Sequence, residues 1–355
     1  MSRLPVAVLG ATGAVGQTFI RLLEDHPWFR VAEVAASERS AGQRYGSVTR
    51  SIEGTMPERV AAMTVTRCDP ATVRSSLVFS ALDAAAAAEM EPAFARDGRF
   101  VLSNAKNFRM EPDVPLVIPE VNADHLALLD AQRARGWTGG VVTNANCAAT
   151  VAAMALAPLH AVFGLTELFL STMQAVSGAG YPGVPSLDIL GNVIPYIADE
   201  EAKLEQEIQK ILGVCTGASV TPAPFVVSAH ANRVPVEHGH TVAISARFAR
   251  TPDVAGALEV LRAWRGAASV RGLPSAPEQP VFVTDALDRP QPRRDAMTGN
   301  GMTVTVGRLR EDRLFDLKFV AMGHNTIRGA AGGSILNAEL LAATGRLAWM
   351  PPVRV

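Results

Sequence analysis

The sequence predicts a two-domain α/β protein: a parallel sheet interleaved with helices, followed by an α+β unit built on a largely antiparallel sheet. Three observations carry this. Over roughly the first 145 residues, short apolar runs alternate with helical patterns, as strands buried on both faces do. A turn rich in glycine separates the first strand from the first helix. From about residue 165 the apolar runs lengthen and acquire period-two alternation, which marks a half-exposed sheet.

The elements follow in order. Val6-Ala7-Val8-Leu9 reads as the first strand, and Phe19, Ile20, Leu22 and Leu23 form the apolar face of the next helix. Residues 31–36, 77–81, 100–102 and 140–142 read as further buried strands, with an alanine-rich helix over about 83–95. A helix of small residues spans 150–159. Residues 167–171, 241–248, 302–310 and 314–322 read as strands of the second sheet, and Glu311-Asp312-Arg313 as the hairpin loop joining the last two. The proline-rich stretch 273–292 reads as a surface connection. A closing helix over about 328–344 is apolar enough to pack back onto the first domain. These elements place one domain at 1–147, completed by a C-terminal helix within 326–355, and a second at 148–325.

The chain has 355 residues, 48% hydrophobic and 19% charged, enough for two packed domains. Lys and Arg total 33 against 34 Asp and Glu, a net charge of -1 that points to neither nucleic acid nor an anionic membrane as partner. Three scattered cysteines make no disulfide framework, and Cys68 and Cys215 read as small buried hydrophobes. Met1-Ser2-Arg3-Leu4-Pro5 runs straight into the first strand without a leader, and no apolar run approaches the ~20 residues of a membrane span. A reduced, cytoplasmic protein is expected. No spacing suggests a metal site, so no metal is expected.

Gly10-Ala11-Thr12-Gly13-Ala14-Val15-Gly16 stands between the first strand and the first helix. Glycine there permits a tight turn and a close approach to a pyrophosphate, while the helix start supplies free N–H groups and a positive dipole end. The unit reads as a Rossmann-type dinucleotide-binding domain, with Gly10, Thr12, Gly13, Ala14, Val15 and Gly16 at the phosphates. After the second strand, Glu38 would suit an unphosphorylated ribose. Ser37, Arg39 and Ser40 instead offer hydroxyls and a guanidinium suited to a 2'-phosphate, which favours NADP.

Thr143-Asn144-Ala145-Asn146-Cys147-Ala148 lies where the last parallel strand gives way to a helix. A cysteine at a helix start feels the dipole, which is expected to lower its pKa. The helix-start N–H groups and Asn146 could stabilise an oxyanion on a carbon bound to that sulfur. His240 opens a strand beside Gly239 and is the candidate base. Arg233, one loop upstream, could clamp a carboxylate by two parallel hydrogen bonds.

Several long runs together resemble the aspartate-semialdehyde dehydrogenase family, particularly its archaeal and fungal branch. They are Ser103-Asn104-Ala105-Lys106-Asn107-Phe108-Arg109-Met110, Val114 to Asn122, Gln174-Ala175-Val176-Ser177-Gly178-Ala179-Gly180-Tyr181, Asn192 to Ile197, Glu200-Glu201-Ala202-Lys203, Asn232-Arg233-Val234-Pro235-Val236 and His324-Asn325-Thr326-Ile327-Arg328-Gly329. The resemblance spans nearly the whole chain. It implies Cys147 as nucleophile, His240 as general acid/base, Gln174 orienting the intermediate and Arg233 binding the substrate carboxylate. It further implies Glu200 at the substrate amino group, and Arg109 and Lys203 as a phosphate-binding pair helped by Asn104 and Lys106. Ser80, Ser177, Gly178 and Asn325 complete the expected cofactor contacts. The second domain then serves catalysis and dimerisation, in a homodimer or homotetramer. The implied reaction is the NADP-dependent, phosphorylating oxidation of aspartate semialdehyde through a cysteine thioester, or its biosynthetic reverse on the route to lysine, methionine and threonine.

Three departures stand out. Ala145 replaces the family's usual proline and Ala148 its small hydroxyl residue, and His230 stands where a small residue is expected. They leave open an acyl-CoA reductase resembling malonyl-CoA reductase, which shares the scaffold. A non-catalytic, nucleotide-sensing relative is the reading from another class, and the presence of Cys147, His240 and Arg233 weighs against it.

Overall fold

The computed structural model describes residues 3–347. Seven parallel strands form the first sheet: β1 (Leu4–Leu9), β2 (Phe29–Ala36), β3 (Thr66–Arg67), β4 (Leu77–Ser80), β5 (Phe100–Ser103), β6 (Leu116–Val117) and β7 (Gly140–Asn144). Their order is β3-β2-β1-β4-β5-β7-β6. The chain therefore reverses direction across the sheet between β1 and β4, and the crevice at their carboxyl ends is where such sheets bind ligands. The helix α1 (Ala14–Leu22) starts there, and α2 (Ala84–Arg96) is capped by the Asp83 side chain accepting the Ala86 N–H.

The helix α3 (Cys147–Phe163) is apolar all round and leads into the second sheet, consistent with burial on every side. That sheet contains β8 (Leu165–Gln174), β11 (Val226–Arg233), β12 (His240–Phe248), β13 (Val281–Val283), β14 (Val304–Glu311) and β15 (Leu317–Gly323), in the order β11-β8-β12-β15-β14-β13. A separate two-stranded ribbon joins β9 (Val214–Cys215) to β10 (Val220–Thr221). Three more helices, α4 (Glu200–Ile211), α5 (Val254–Ala263) and α6 (Gly332–Ala343), complete the framework.

The second sheet is mixed. Antiparallel pairs dominate its centre, but both edge strands run parallel to their neighbours, β11 to β8 and β13 to β14. The stretch 273–292 is thus more than a connection, since it supplies β13. The loop joining β14 to β15 is longer than the three residues expected, closing through the Asp312 N–H on the Asp316 carbonyl. The closing helix begins as a π-helical turn over Ile327–Ala331 before α6; of the C-terminal helix expected within 326–355, residues 348–355 lie outside the described residues.

Two cores explain the arrangement. Phe19, Phe29 and Phe79 pack with Ile335, Leu336, Leu340 and Leu341, so α6 folds back onto the first sheet. Met154, Leu156 and Leu159 of α3 pack with Leu170, Val242, Ile244 and Phe319 under the second. Where these cores meet, buried Arg328 grips Glu120 with two hydrogen bonds of 2.7 and 2.5 Å. Removing one partner of such a pair costs about 3–5 kcal/mol, because the other charge is left buried and alone.

Candidate active site

Cys147 stands at the first position of α3, carried there by the end of β7. Asn146 caps the helix: its Oδ1 accepts the N–H groups of Ala148 and Ala149, each at 3.0 Å. The Asn146 N–H donates to Glu207 Oε2 at 2.6 Å, and its Nδ2 donates to Glu200 Oε1 at 2.7 Å. The cap therefore occupies helix-start donors that the sequence suggested for an oxyanion, and Asn146 itself is fully engaged.

His240 opens β12 and brings Nε2 to 3.1 Å from Cys147 Sγ. Its Nδ1 accepts the Ala175 N–H at 3.1 Å, which places the proton of the neutral ring on Nε2, aimed at sulfur. In this tautomer the ring is set to donate to sulfur or to an oxygen beside it. Acting as the base that the resemblance implies, by taking a proton at Nε2, calls for the other tautomer, with the Ala175 N–H no longer donating to Nδ1. Burial, then Arg233 and His324, push the imidazole down to about 3, so an imidazolium is disfavoured.

The thiol shifts opposite to the expectation from the helix start. Burial and the Glu200 carboxylate push Cys147 up to about 12, against the pull of Arg109, Arg233 and the Ala148 N–H. Desolvation of sulfur by both domains outweighs the dipole of one helix. Both shifts favour the neutral thiol and neutral imidazole over a thiolate facing an imidazolium.

Around this pair the expected residues converge. Gln174, at the end of β8, donates to Glu200 Oε1 at 3.0 Å, and Lys203 donates to Glu200 Oε2 at 3.2 Å. Lys203 thus neutralises Glu200 as well as facing the site. Arg233, at the end of β11, is buried and donates to the Ala175 carbonyl at 2.8 Å. Arg109 donates to Glu207 at 2.9 Å and to the Asn104 carbonyl at 2.9 Å. Lys106 stays at the rim, half-exposed and paired with Asp199 at 2.6 Å.

Two glycines mark how tightly the site is closed. A Cβ at Gly178 would lie 2.9 Å from both Arg233 Nη1 and His240 Cε1. One at Gly329, in the π turn, would lie 2.5 Å from the Cβ of Cys147. Ser177 and Asn325 are joined by a 2.8 Å hydrogen bond, and Asn325 Oδ1 accepts the Gly239 N–H at 2.9 Å beside His240.

The glycine turn is built as the sequence implies. Gly10 has φ +71, and a Cβ there would meet the Ala81 carbonyl oxygen at 2.5 Å; one at Gly16 would meet the Gly10 oxygen at 2.4 Å. Gly13 meets only ordinary contacts from its own chain, so its lack of a side chain leaves room for something else. Thr12, Ser37, Arg39 and Ser40 line a cavity of about 660 Å³ together with Thr49, Arg50, Ser51 and Tyr181, and Glu38 is not in that lining. Ala14 and Ser177 line a second, more apolar cavity of about 320 Å³. Val15, in the first turn of α1, is partly buried. Ser80 is fully buried at the end of β4, where its carbonyl accepts the Asn104 N–H.

Sequence reasoning missed several residues. Glu207 and Lys210 bond to partners far away in sequence. Arg50 reaches the 660 Å³ cavity from a loop without a motif, and Tyr181, within a run that the resemblance marks, reaches it without having been given a role. Glu53 bonds Arg21 at 2.5 Å and His238 as well, tying the first domain to the loop before His240. Among the described residues no group of three or more His, Cys, Asp or Glu is placed to hold a metal ion, and no helix is long and apolar enough to cross a membrane.

The sequence matches the semialdehyde dehydrogenase NAD binding domain over residues 5–129 and the semialdehyde dehydrogenase dimerisation domain over residues 156–328. It is 50% identical over 341 residues to aspartate-semialdehyde dehydrogenase of Methanothermobacter thermautotrophicus, covering 95% of this chain and 98% of that protein. The crystal structure of aspartate semialdehyde dehydrogenase with NADP from Candida albicans superposes with a TM-score of 0.90 at 43% identity, covering 97% of this chain and 100% of that one. Aspartate semialdehyde dehydrogenase II from Vibrio cholerae, complexed with ASA, gives 0.76 at 26% identity over 98% and 100%.

Proposed function

The chain belongs to the aspartate-semialdehyde dehydrogenase family, and from that premise we propose that it interconverts L-aspartate 4-semialdehyde plus phosphate and L-4-aspartyl phosphate with NADP. The observation that carries this reading is the Cys147–His240 contact of 3.1 Å, set among buried Arg233, Glu200, Gln174 and Arg109.

The residues fit the cofactor. Gly13 leaves space at the start of α1 for a pyrophosphate, and the hydroxyl- and arginine-lined cavity suits a 2'-phosphate. When bound, NADP takes the hydride from the substrate carbon in the oxidative direction. Ser177, Gly178 and Asn325 lie beside His240 and would hold its reactive end.

The chain's own residues account for the rest. Cys147 Sγ bonds to the aldehyde carbon as its proton passes to the carbonyl oxygen, giving a neutral thiohemiacetal. His240 Nε2, already directed at sulfur, takes the hydroxyl proton as the carbon is oxidised to the thioester, with its other nitrogen protonated. Arg233 takes the substrate carboxylate, Glu200 the amino group, and Gln174 and Asn146 fix Glu200. Phosphate held by Arg109 and Lys203, with Asn104 and Lys106 at the edge, attacks the thioester carbon. The carbon–sulfur bond breaks, and the leaving sulfur takes the proton that phosphate loses, restoring the thiol.

The outer face of the second sheet supports the oligomer reading, with Phe169, His230 and Lys318 directed away from the core. Exposed Val193 and Tyr196 flank Ile194, which bridges to Arg233 at the edge of that sheet. We take this face as the surface of a homodimer or homotetramer. Three unpaired cysteines suit a cytoplasmic setting.

The test is phosphate-dependent reduction of NADP by purified protein given L-aspartate semialdehyde, beside reduction of malonyl-CoA and succinyl-CoA by NADPH. Activity in the first assay alone upholds the proposal. Activity only with a CoA ester keeps the nucleophile and replaces the acyl donor.

A further inference from the structure

One side of α4 carries Glu200, Lys203, Glu207 and Lys210 at helical spacing. The first two belong to the site above, while the function leaves Glu207 and Lys210 without a task. Both are buried, at 2% and 3% exposure. Glu207 Oε1 accepts from Arg109 Nη1 at 2.9 Å, and its Oε2 accepts the Asn146 N–H at 2.6 Å. Lys210 Nζ donates to three carbonyls, those of Arg109 at 2.7 Å, Glu111 at 2.7 Å and Val114 at 2.9 Å.

The guanidinium of Arg109 is thus held by one turn of α4 and its backbone by the next. The same carboxylate that aims Arg109 also fixes the peptide preceding the nucleophile. We propose that Glu207 and Lys210 are positioning residues that set Arg109 against Cys147 for the phosphate step. This rests on the function proposed above.

The chemistry favours positioning over simple scaffolding. A carboxylate beside an anion site repels the anion, so Glu207 weakens phosphate attraction unless it contributes geometry in exchange. It takes one edge of Arg109, the Asn104 carbonyl takes another, and Nε keeps no protein partner. A planar guanidinium fixed at two points can present its remaining N–H groups in one orientation only. Lys210 spends all three of its protons on the loop that carries Arg109, so removing it frees that loop without touching Cys147. Errors of ~1 Å in placing a reacting group cost on the order of 100-fold in rate.

The experiment separates the two half-reactions. The phosphate-free burst of NADPH reads attack by Cys147 and hydride loss, whereas turnover with varied phosphate reads the step Arg109 serves. In Lys210→Met, KM for phosphate should rise about tenfold or more, with KM for the semialdehyde and the burst rate within about twofold of wild type. Lys210→Arg, which keeps the charge, should recover part of the loss. Glu207→Gln is the second variant should Lys210→Met not fold. Glutamine has one acceptor oxygen; kept on the Asn146 N–H, the shorter of the two bonds, it turns its amide NH2 toward Arg109, and the same rise in phosphate KM is expected. An unchanged phosphate KM in the folded variants, or a burst that falls in parallel with turnover, overturns the assignment. A wild-type protein that lacks the burst, or turns over without phosphate, overturns the proposed function itself before any variant is made.

Discussion

Gly329→Ala tests how closely the second domain's return segment is fitted to the nucleophile. An alanine Cβ there would sit 2.5 Å from the Cβ of Cys147 and 2.8 Å from its Cα. Ordinary carbon–carbon contact lies at about 3.5–4.0 Å, so one segment must yield by roughly 1 Å. The obstacle is backbone and a Cβ, not the end of a flexible side chain, and the π turn is pinned by Arg328 on Glu120. Overpacking of this kind costs about 1–3 kcal/mol of stability. If Cys147 moves instead, its contact with His240 opens, and ~1 Å of misplacement lowers turnover on the order of 100-fold. Thermal melting, kcat and NADP binding would be measured on one preparation. We expect lowered Tm, strongly lowered kcat and near-normal NADP affinity. A variant with wild-type Tm and kcat within threefold would refute the close packing of Gly329 on the nucleophile.

Three further outcomes are expected. Arg233→Ala should raise KM for the carboxylate substrate about 10- to 100-fold while leaving NADP affinity intact, and an unchanged KM would mean the clamp is elsewhere. Arg39→Ala should weaken NADP by ~1.5–3 kcal/mol but NAD little, measured by paired binding titrations; equal losses would remove Arg39 from the 2'-phosphate. Alkylation of Cys147 in the free protein should quicken about tenfold per pH unit and keep rising past pH 9. The thiol is held near 12, and only its thiolate reacts, so the reactive fraction grows with pH up to that value. A rate that levels off near neutral pH would show an ion pair with His240.

Much of the site was legible because it is built from local chemistry. The strand, glycine turn and helix around Gly10 and Gly16 are contiguous, and each glycine answers a contact within the turn or the next strand. The place of Cys147 between a buried strand and a helix was legible, but its role as nucleophile came from the resemblance. The strand near residues 302–306 was legible too, although these residues are buried throughout and not half-exposed as their alternation suggested. The edge strands were harder. Val226–Arg233 reads as a polar-spotted run with Ser228, His230 and Asn232, and β13 is three residues inside a proline-rich stretch. Both are held by neighbours distant in sequence. Glu207 and Lys210 were invisible for the same reason, since their partners lie 61 to 101 residues away. The pKa of Cys147 was misjudged because the helix dipole is a local quantity and burial between two domains is not. His230, unexplained in the sequence, lies edge-on to Phe169 on the outer face of the second sheet.

The central claim is a covalent thioester on Cys147, and intact-protein mass analysis tests it most directly. Protein is mixed with L-aspartate semialdehyde and NADP without phosphate, quenched in acid and mapped by peptide. The account predicts one acyl group per chain, on Cys147, formed with one equivalent of NADPH and released when phosphate is added. Turnover without any acyl-enzyme, or an adduct that survives Cys147→Ala, would contradict it.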